Sequence, residues 1–162
     1  MIRFARQRRE LSLSLIALPY ALAVCTLTWL TIENHLGDQM YGAIVMTLIA
    51  LPVSIIQIPI NYWLREAVNV TYGWEYPVLA WPGVVTAIIL AILLLRQHTT
   101  GRILGWFLAG CIILTGLAIT FDQWAPRHPY GWPFLVYGLV MIIGLLGSGT
   151  KTRDAIPGRD VT

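Results

Sequence analysis

The sequence predicts a small all-α integral membrane protein, a compact bundle of four to five transmembrane helices whose second apolar segment is broken or kinked at prolines. Two observations predict this class. The chain is 57% hydrophobic and only 12% charged, whereas about 25% of the residues of a soluble domain are charged. It also contains five stretches without any Asp, Glu, Lys or Arg. Each is close to the ~20 residues that a helix needs to cross a hydrocarbon core of about 30 Å.

The five stretches leave only short connections and one short tail. They cover residues 11–32, 39–64, 76–95, 103–121 and 128–150. We expect residues 1–150 to form a single helical membrane domain and residues 151–162 to form a polar, disordered cytoplasmic tail. Connections of this length leave no room for a soluble catalytic or binding domain.

The first stretch resembles a cleaved targeting signal, because basic residues 3–9 precede an apolar run that contains Cys25. A lipoprotein cleavage site needs a small residue before its cysteine, and Val24 is branched. The apolar run also continues to Ile32, beyond the length of a signal peptide's apolar region. These features favour an uncleaved first span that follows a cytoplasmic N-terminus.

The second stretch is the least regular, because Pro52 divides it into two pieces and Pro59 follows seven residues later. Proline removes a backbone donor and clashes with the preceding helical turn. Each piece has about 12 residues, enough for half of a bilayer. One interpretation is a re-entrant hairpin that enters and leaves on the same side. The other is an ordinary kinked span, since neighbouring helices in a membrane re-satisfy the freed backbone groups.

The basic residues favour the hairpin, because Lys and Arg accumulate in short cytoplasmic loops. If all five stretches cross, six basic residues lie on the cytoplasmic side and five outside. If the second stretch re-enters, nine lie inside and two outside. The charge count favours four crossings, and the general tolerance of membrane helices for proline favours five.

The second stretch also carries a polar stripe, which consists of Thr47, Ser54, Gln57 and Asn61. On an unbroken helix these four residues would fall within about 80° of one face. Hydrogen bonding to neighbouring helices is one interpretation, since such side chains commonly bond across membrane bundles. The other interpretation is a permeation or substrate path.

The last three stretches carry packing and interface signals. Trp81 and Trp132 lie near the ends of the third and fifth stretches. Tryptophan favours the level of the lipid headgroups. In the fourth stretch and just before it, small residues recur at spacings that let two helix backbones approach closely. These residues are Gly101, Gly105, Ala109 and Gly116. The pattern predicts a helix contact with a partner either within the chain or in a second subunit.

The connections hold the titratable groups that acid-base or metal chemistry needs. A weak outer-loop cluster consists of Glu33, His35 and Asp38 in the first connection and Asp122 and His128 in the last. With four crossings, both connections lie on the same side, so His35, Asp38, Asp122 and His128 could meet there. The spacing of metal ligands, such as two histidines one helical turn apart, is missing. We therefore expect a solvated loop, without a metal or cofactor.

These patterns predict a non-enzymatic accessory, scaffold or regulatory subunit that acts through helix–helix contacts. The alternative is a small oligomeric channel or carrier built around the polar stripe. A lipid-directed intramembrane enzyme using His35 and His128 is the third possibility.

The expected partners are the lipid bilayer and either another membrane protein or further copies of the chain. Nucleic acid is not expected, because the basic residues lie beside apolar stretches and act as topology determinants. The excess of arginine over lysine favours a bacterial inner membrane.

Overall fold

The computed structural model describes residues 2–57, 60, 75–96 and 99–148, with side chains described for 14–57, 60, 78–96 and 99–148. Pro59, Asn61 and the tail at 151–162 lie outside the described residues. The helices are α1 (Ile2–Ile32), α2 (Gln39–Ile49), α3 (Glu75–Leu95), α4 (Thr99–Thr120) and α5 (His128–Ser148), with a short 3-10 turn at Ala125–Arg127. Residues 54–57 are also helical.

Four of these helices contain segments long and apolar enough to cross a membrane: Ser14–Ile32, Val78–Leu95, Thr99–Thr120 and Ala125–Ser148. The prediction of an all-helical chain with membrane-length helices is confirmed. α2 has only 11 residues, too few to cross a hydrocarbon core alone. It ends at Ile49, shortly before Pro52, where the sequence predicts a break.

Contacts between the helices define two ends of the bundle. Leu15 near the start of the first candidate span packs on Gly144, near the end of α5. Gly101 at the start of α4 packs on Leu93, near the end of α3. We call this end the Arg96 end. At the opposite end, which we call the Arg127 end, the connection after α1 contacts the connection after α4.

The core lies along the bundle axis and receives apolar side chains from every helix. Fully buried members include Tyr20 and Leu27 of α1, Met46 of α2, Ile112 of α4 and Phe134 of α5. Large apolar side chains on the outward faces remain exposed within the chain. Examples are Ile44, Ile88, Leu114 and Leu139. This is the pattern expected of helices that face lipid rather than water.

The small residues of the fourth stretch pack against helices of the same chain. Gly101 packs against α3, whereas Gly105 and Gly116 pack against Leu145 and Leu135 of α5. Ala109 is fully buried. The sequence did not decide whether these residues contact a helix of the same chain or of a second subunit. At these positions the contacting helix belongs to the same chain.

α4 and α5 approach each other closely at Gly131. A Cβ atom at this position would lie 2.6 Å from the carbonyl oxygen of Gly116 and would also collide with the Thr120 hydroxyl. A second glycine of α5, Gly138, packs on Ile113 in the same way. The two helices therefore meet through backbone as well as side-chain atoms, as small residues allow.

Candidate functional site: a broken hairpin and the arginine cluster at its base

Residues 39–57 form a hairpin. α2 leaves the Arg127 end and stops at Ile49, and the chain turns through residues 50–53, which include a cis peptide bond between Leu51 and Pro52. The Ser54 hydroxyl donates to the carbonyl oxygen of Thr47 at 2.7 Å, so the two arms lie side by side. The Gln57 amide donates to the Val78 carbonyl at 3.4 Å, near the start of α3. The second arm therefore runs back toward the Arg127 end.

Local sequence accounts for both ends of the first arm. The Asp38 carboxylate accepts a hydrogen bond of 2.8 Å from the backbone N–H of Met40, which caps the N-terminus of α2. Gly37 precedes it with a φ of 71°, a left-handed conformation that glycine adopts without a steric penalty. Leu51 precedes a proline, which disfavours helical geometry there. Asp38 therefore has a structural role at the start of the hairpin.

A helix that stops inside a bundle leaves its last carbonyl groups without helical partners. Here hydroxyl groups from three parts of the chain supply hydrogen bonds. Tyr20 of α1 donates to the Ile49 carbonyl at 3.0 Å, and Ser54 donates to Thr47 as described. The Thr86 hydroxyl of α3 lies 3.2 Å from the Ala50 carbonyl and 2.8 Å from the Pro82 carbonyl, so its proton is shared between them.

Burial makes these bonds important for the hairpin. The exposed fraction is 0% for Tyr20 and Ser54 and 1% for Thr86. A buried polar group without a hydrogen bond costs about 1–3 kcal/mol. We call Tyr20, Ser54 and Thr86 the tip hydroxyls. Tyr20 and Ser54 compensate the Ile49 and Thr47 carbonyls at the broken end of α2, and Thr86 adds a second donor to the Ala50 carbonyl, which also accepts from the Ser54 N–H at 3.1 Å.

The predicted polar stripe does not run along one helix, because α2 ends between Thr47 and Ser54. The Thr47 hydroxyl donates to the Ala43 carbonyl at 2.9 Å within α2. Ser54 and Gln57 bond to backbone carbonyls, as described above. All three therefore hydrogen-bond within the chain, and the fourth predicted member, Asn61, lies outside the described residues.

Sequence reasoning did not single out Tyr20 and Thr86. A signal for them was present, since both are hydrogen-bonding residues near the middle of uncharged stretches. Their partners became visible only with the fold, because Thr86 and Ala50 are 36 positions apart.

The base of the hairpin is held by Arg127. Its Nε donates to the Leu36 carbonyl at 2.5 Å, and its guanidinium forms an ion pair with Asp122. The guanidinium carbon lies 4.0 Å from the ring centroid of Tyr41 and 4.9 Å from that of Trp124. Such cation–π contacts contribute about 0.5–2 kcal/mol. We call these five residues the Arg127 cluster.

The predicted outer-loop residues lie at this end, and the two connections do meet. His35 lies between the Trp29 ring, at 4.7 Å, and the Tyr130 ring, at 5.5 Å. Nε2 of His128 lies 2.8 Å from the backbone oxygen of Asp122. Glu33 is exposed in the first connection.

These side chains do not converge on a common point. The described residues contain no group of three or more His, Cys, Asp or Glu placed to hold a metal ion. The hydrogen bond from Arg127 holds the pKa of Asp122 below its usual range, so this carboxylate is ionised at neutral pH as the partner of the arginine.

The hairpin and the Arg127 cluster form one unit, because Tyr41 belongs to the first turn of α2. The chain matches no protein-family model, no curated protein and no solved structure. In this unit, hydroxyl groups donate hydrogen bonds to carbonyl oxygens. The Arg127 guanidinium contacts a carbonyl oxygen, a carboxylate and two aromatic rings of the same chain. The arrangement positions a short broken element within a helical bundle.

Proposed function

We propose that the protein is a non-enzymatic multi-pass membrane component, an accessory, scaffold or regulatory subunit whose hairpin re-enters the membrane and contacts a partner there. One observation supports this most directly. Thr47, Ser54 and Gln57 of the hairpin hydrogen-bond to backbone carbonyls of the same chain. The outward flank of the hairpin is apolar and is exposed at Met40, Ile44, Ile55 and Ile56. An apolar flank on an element tied to a rigid bundle is suited to contact with another membrane helix.

The turn of the hairpin supports the same proposal. Ala50 and Ser54 are buried, but Pro52 between them is exposed within the chain. Non-helical backbone at membrane depth is tolerated where protein covers it or where it lines a water-filled cavity. A second copy of the chain or another membrane protein seated on this flank would cover the turn.

The orientation that fits this proposal has the Arg96 end in the cytoplasm and four crossings. The start of α1 lies at this end, together with Arg96 and Arg102, which agrees with the positive-inside rule. A bacterial inner membrane is the proposed location. In a variant without Cys25 and Cys111, a cysteine at Thr99 should react with an impermeant maleimide only after the membrane is permeabilised. A cysteine at Gln123 should react without permeabilisation, and the reverse pattern would refute the orientation.

Site-specific photocrosslinking tests the partner. A benzophenone amino acid placed at Ile44 or Ile55 on the hairpin flank should give a protein adduct of defined mass in native membranes. The matched control is Ile143 of α5, which is similarly exposed but lies on another helix. Adducts to lipid alone at Ile44 and Ile55, as at Ile143, would contradict the proposal.

A small oligomeric channel or carrier is the second candidate. The exposed Pro52 at the turn, and the long 3.4 Å bond of Gln57, favour it as features of a path that opens between copies. Its test is solute or ion flux into vesicles containing the purified protein. Flux that persists when Gln57 and Asn61 are both replaced by leucine would exclude the polar stripe as its path.

A further inference from the structure

Neither the hairpin nor the Arg127 cluster uses the basic residues of the Arg96 end. Arg96 follows α3 and Arg102 lies in the first turn of α4, and both are exposed. Neither forms an ion pair with another residue whose side chain is described. The acidic residues with described side chains are Glu33, Asp38 and Asp122, and all three lie at the opposite end. The described part of the Arg96 end therefore carries uncompensated positive charge.

The start of α1 adds further arginines at this end. The candidate span begins at Ser14, but the helix begins at Ile2. At 1.5 Å per residue, this extension continues about 18 Å beyond the span. It contains arginines at positions 3, 6, 8 and 9 and a single acidic residue, Glu10.

An exposed apolar face of α4 begins directly beside Arg102. Ile103, Trp106, Phe107 and Leu114 are all exposed on it. Gly110 lies among these bulky side chains, and a Cβ atom placed there would have nothing within 4 Å. The face thus has a shallow notch about 12 Å along the helix from Arg102.

Positive charge beside a notched apolar face matches a molecule with an anionic head and an apolar tail. We propose that the Arg96 end binds an anionic phospholipid, with its phosphate at Arg96 and Arg102 and an acyl chain along α4 over Gly110. An acidic protein would match the arginines but not the apolar face that continues along a membrane-length helix. Near a membrane surface, each arginine is expected to strengthen binding of anionic lipid about five-fold.

Quenching of tryptophan fluorescence by brominated lipids tests this site. The purified full-length protein in neutral detergent is titrated with phosphatidylglycerol or phosphatidylcholine, each brominated on the acyl chain. The W106F variant identifies the part of the signal that comes from Trp106. We expect phosphatidylglycerol to quench Trp106 at a mole fraction about 25-fold lower than phosphatidylcholine, from about five-fold for each of the two arginines. High salt should reduce this preference.

Substitutions assign the preference to the two arginines. Arg102→Gln should reduce the preference for phosphatidylglycerol over phosphatidylcholine about five-fold. The double variant, Arg96→Gln with Arg102→Gln, should abolish this preference. Arg102→Lys keeps the charge and should retain most of it. Arg159→Gln removes the same charge from the C-terminal segment and should have little effect. If Arg102→Gln does not elute as a folded species, Arg96→Gln alone carries the test.

Three results would overturn the proposal. The first is equal quenching by the two lipids in the unaltered protein. The second is a preference for phosphatidylglycerol that survives the double substitution. The third is specific retention of an acidic protein at this end with no preference between the lipids.

Discussion

The α4–α5 pair and the hairpin are held in the bundle by different physical means. α4 and α5 meet through glycines, and near their contact the buried Thr120 hydroxyl has no hydrogen-bond partner among the described residues. In the hairpin, all three tip hydroxyls lie within hydrogen-bonding distance of carbonyl groups. Regular helices satisfy their own backbone, so complementary shape is enough to join them. A helix that stops inside the bundle needs donors from its neighbours.

The largest expected effect is steric and lies in the α4–α5 pair. Gly131→Ala places a Cβ against the Gly116 carbonyl and the Thr120 hydroxyl, so the helices must separate. We expect a loss of about 3 kcal/mol or more, the upper end of overpacking costs, because backbone atoms of Gly116 and Thr120 lie in the way and cannot rotate aside. The free energy of unfolding can be measured by SDS titration in mixed micelles with circular dichroism. Gly110→Ala, where nothing lies within 4 Å, should be neutral or stabilising by up to about 1 kcal/mol. Equal losses in the two variants would remove the steric explanation.

The second effect tests the hydrogen bond from α1 to the hairpin. Tyr20→Phe keeps the ring but leaves the buried Ile49 carbonyl without the tyrosine hydroxyl. The expected loss is about 1–3 kcal/mol in the same unfolding assay. Tyr137→Phe is the control, because among the described residues its hydroxyl makes a part-buried contact of 3.4 Å with Thr26. If the control loses as much stability as Tyr20→Phe, the hydrogen bond to Ile49 is not what stabilises the hairpin.

The third prediction compares two buried threonines. Replacing each by valine should change the free energy of unfolding differently. Thr86→Val should destabilise the protein by about 1 kcal/mol, because the Ala50 carbonyl loses a hydroxyl contact. Thr115→Val should be neutral or slightly stabilising, since the fully buried Thr115 hydroxyl has no partner among the described residues. The comparison uses the unfolding assay for both variants. A larger loss for Thr115→Val would show that this hydroxyl is satisfied by a group outside the described residues.

The smallest effect is the pH dependence of the Arg127 cluster. The pKa of Asp122 is lowered chiefly by its hydrogen bond with Arg127, so folding favours the ionised carboxylate. The resulting stabilisation is complete above the ordinary aspartate pKa of about 3.9. It is lost as the pH falls through the lowered pKa. Thermal unfolding between about pH 2 and 5 should show this decline, which should be weaker in Asp122→Asn. An identical decline in both proteins would assign it to other carboxylates.

The sequence predicted the helices well, because length and absence of charge are local properties. α3 begins one residue before the predicted stretch 76–95, and α5 covers most of 128–150. The break at Pro52 was also visible, since a proline acts on its own neighbours. The tip hydroxyls and the aromatic neighbours of Arg127 were not visible. Tyr41 and Arg127 are far apart in the chain, and only the packing of α2 against the last connection brings them together.

The spacing of the hairpin's contacts along the chain has a consequence for its assembly during synthesis. The Tyr20 hydroxyl is made before its acceptor at Ile49, but Thr86 follows Ala50 by 36 residues and Arg127 follows Leu36 by 91. Folding during translation proceeds from the N-terminus. A ribosome therefore makes the first half of α3 before the tip has its third hydroxyl donor, and three of the four candidate spans before Arg127 can fasten the base. The hairpin is an early part of the chain that reaches its final set of contacts among the last.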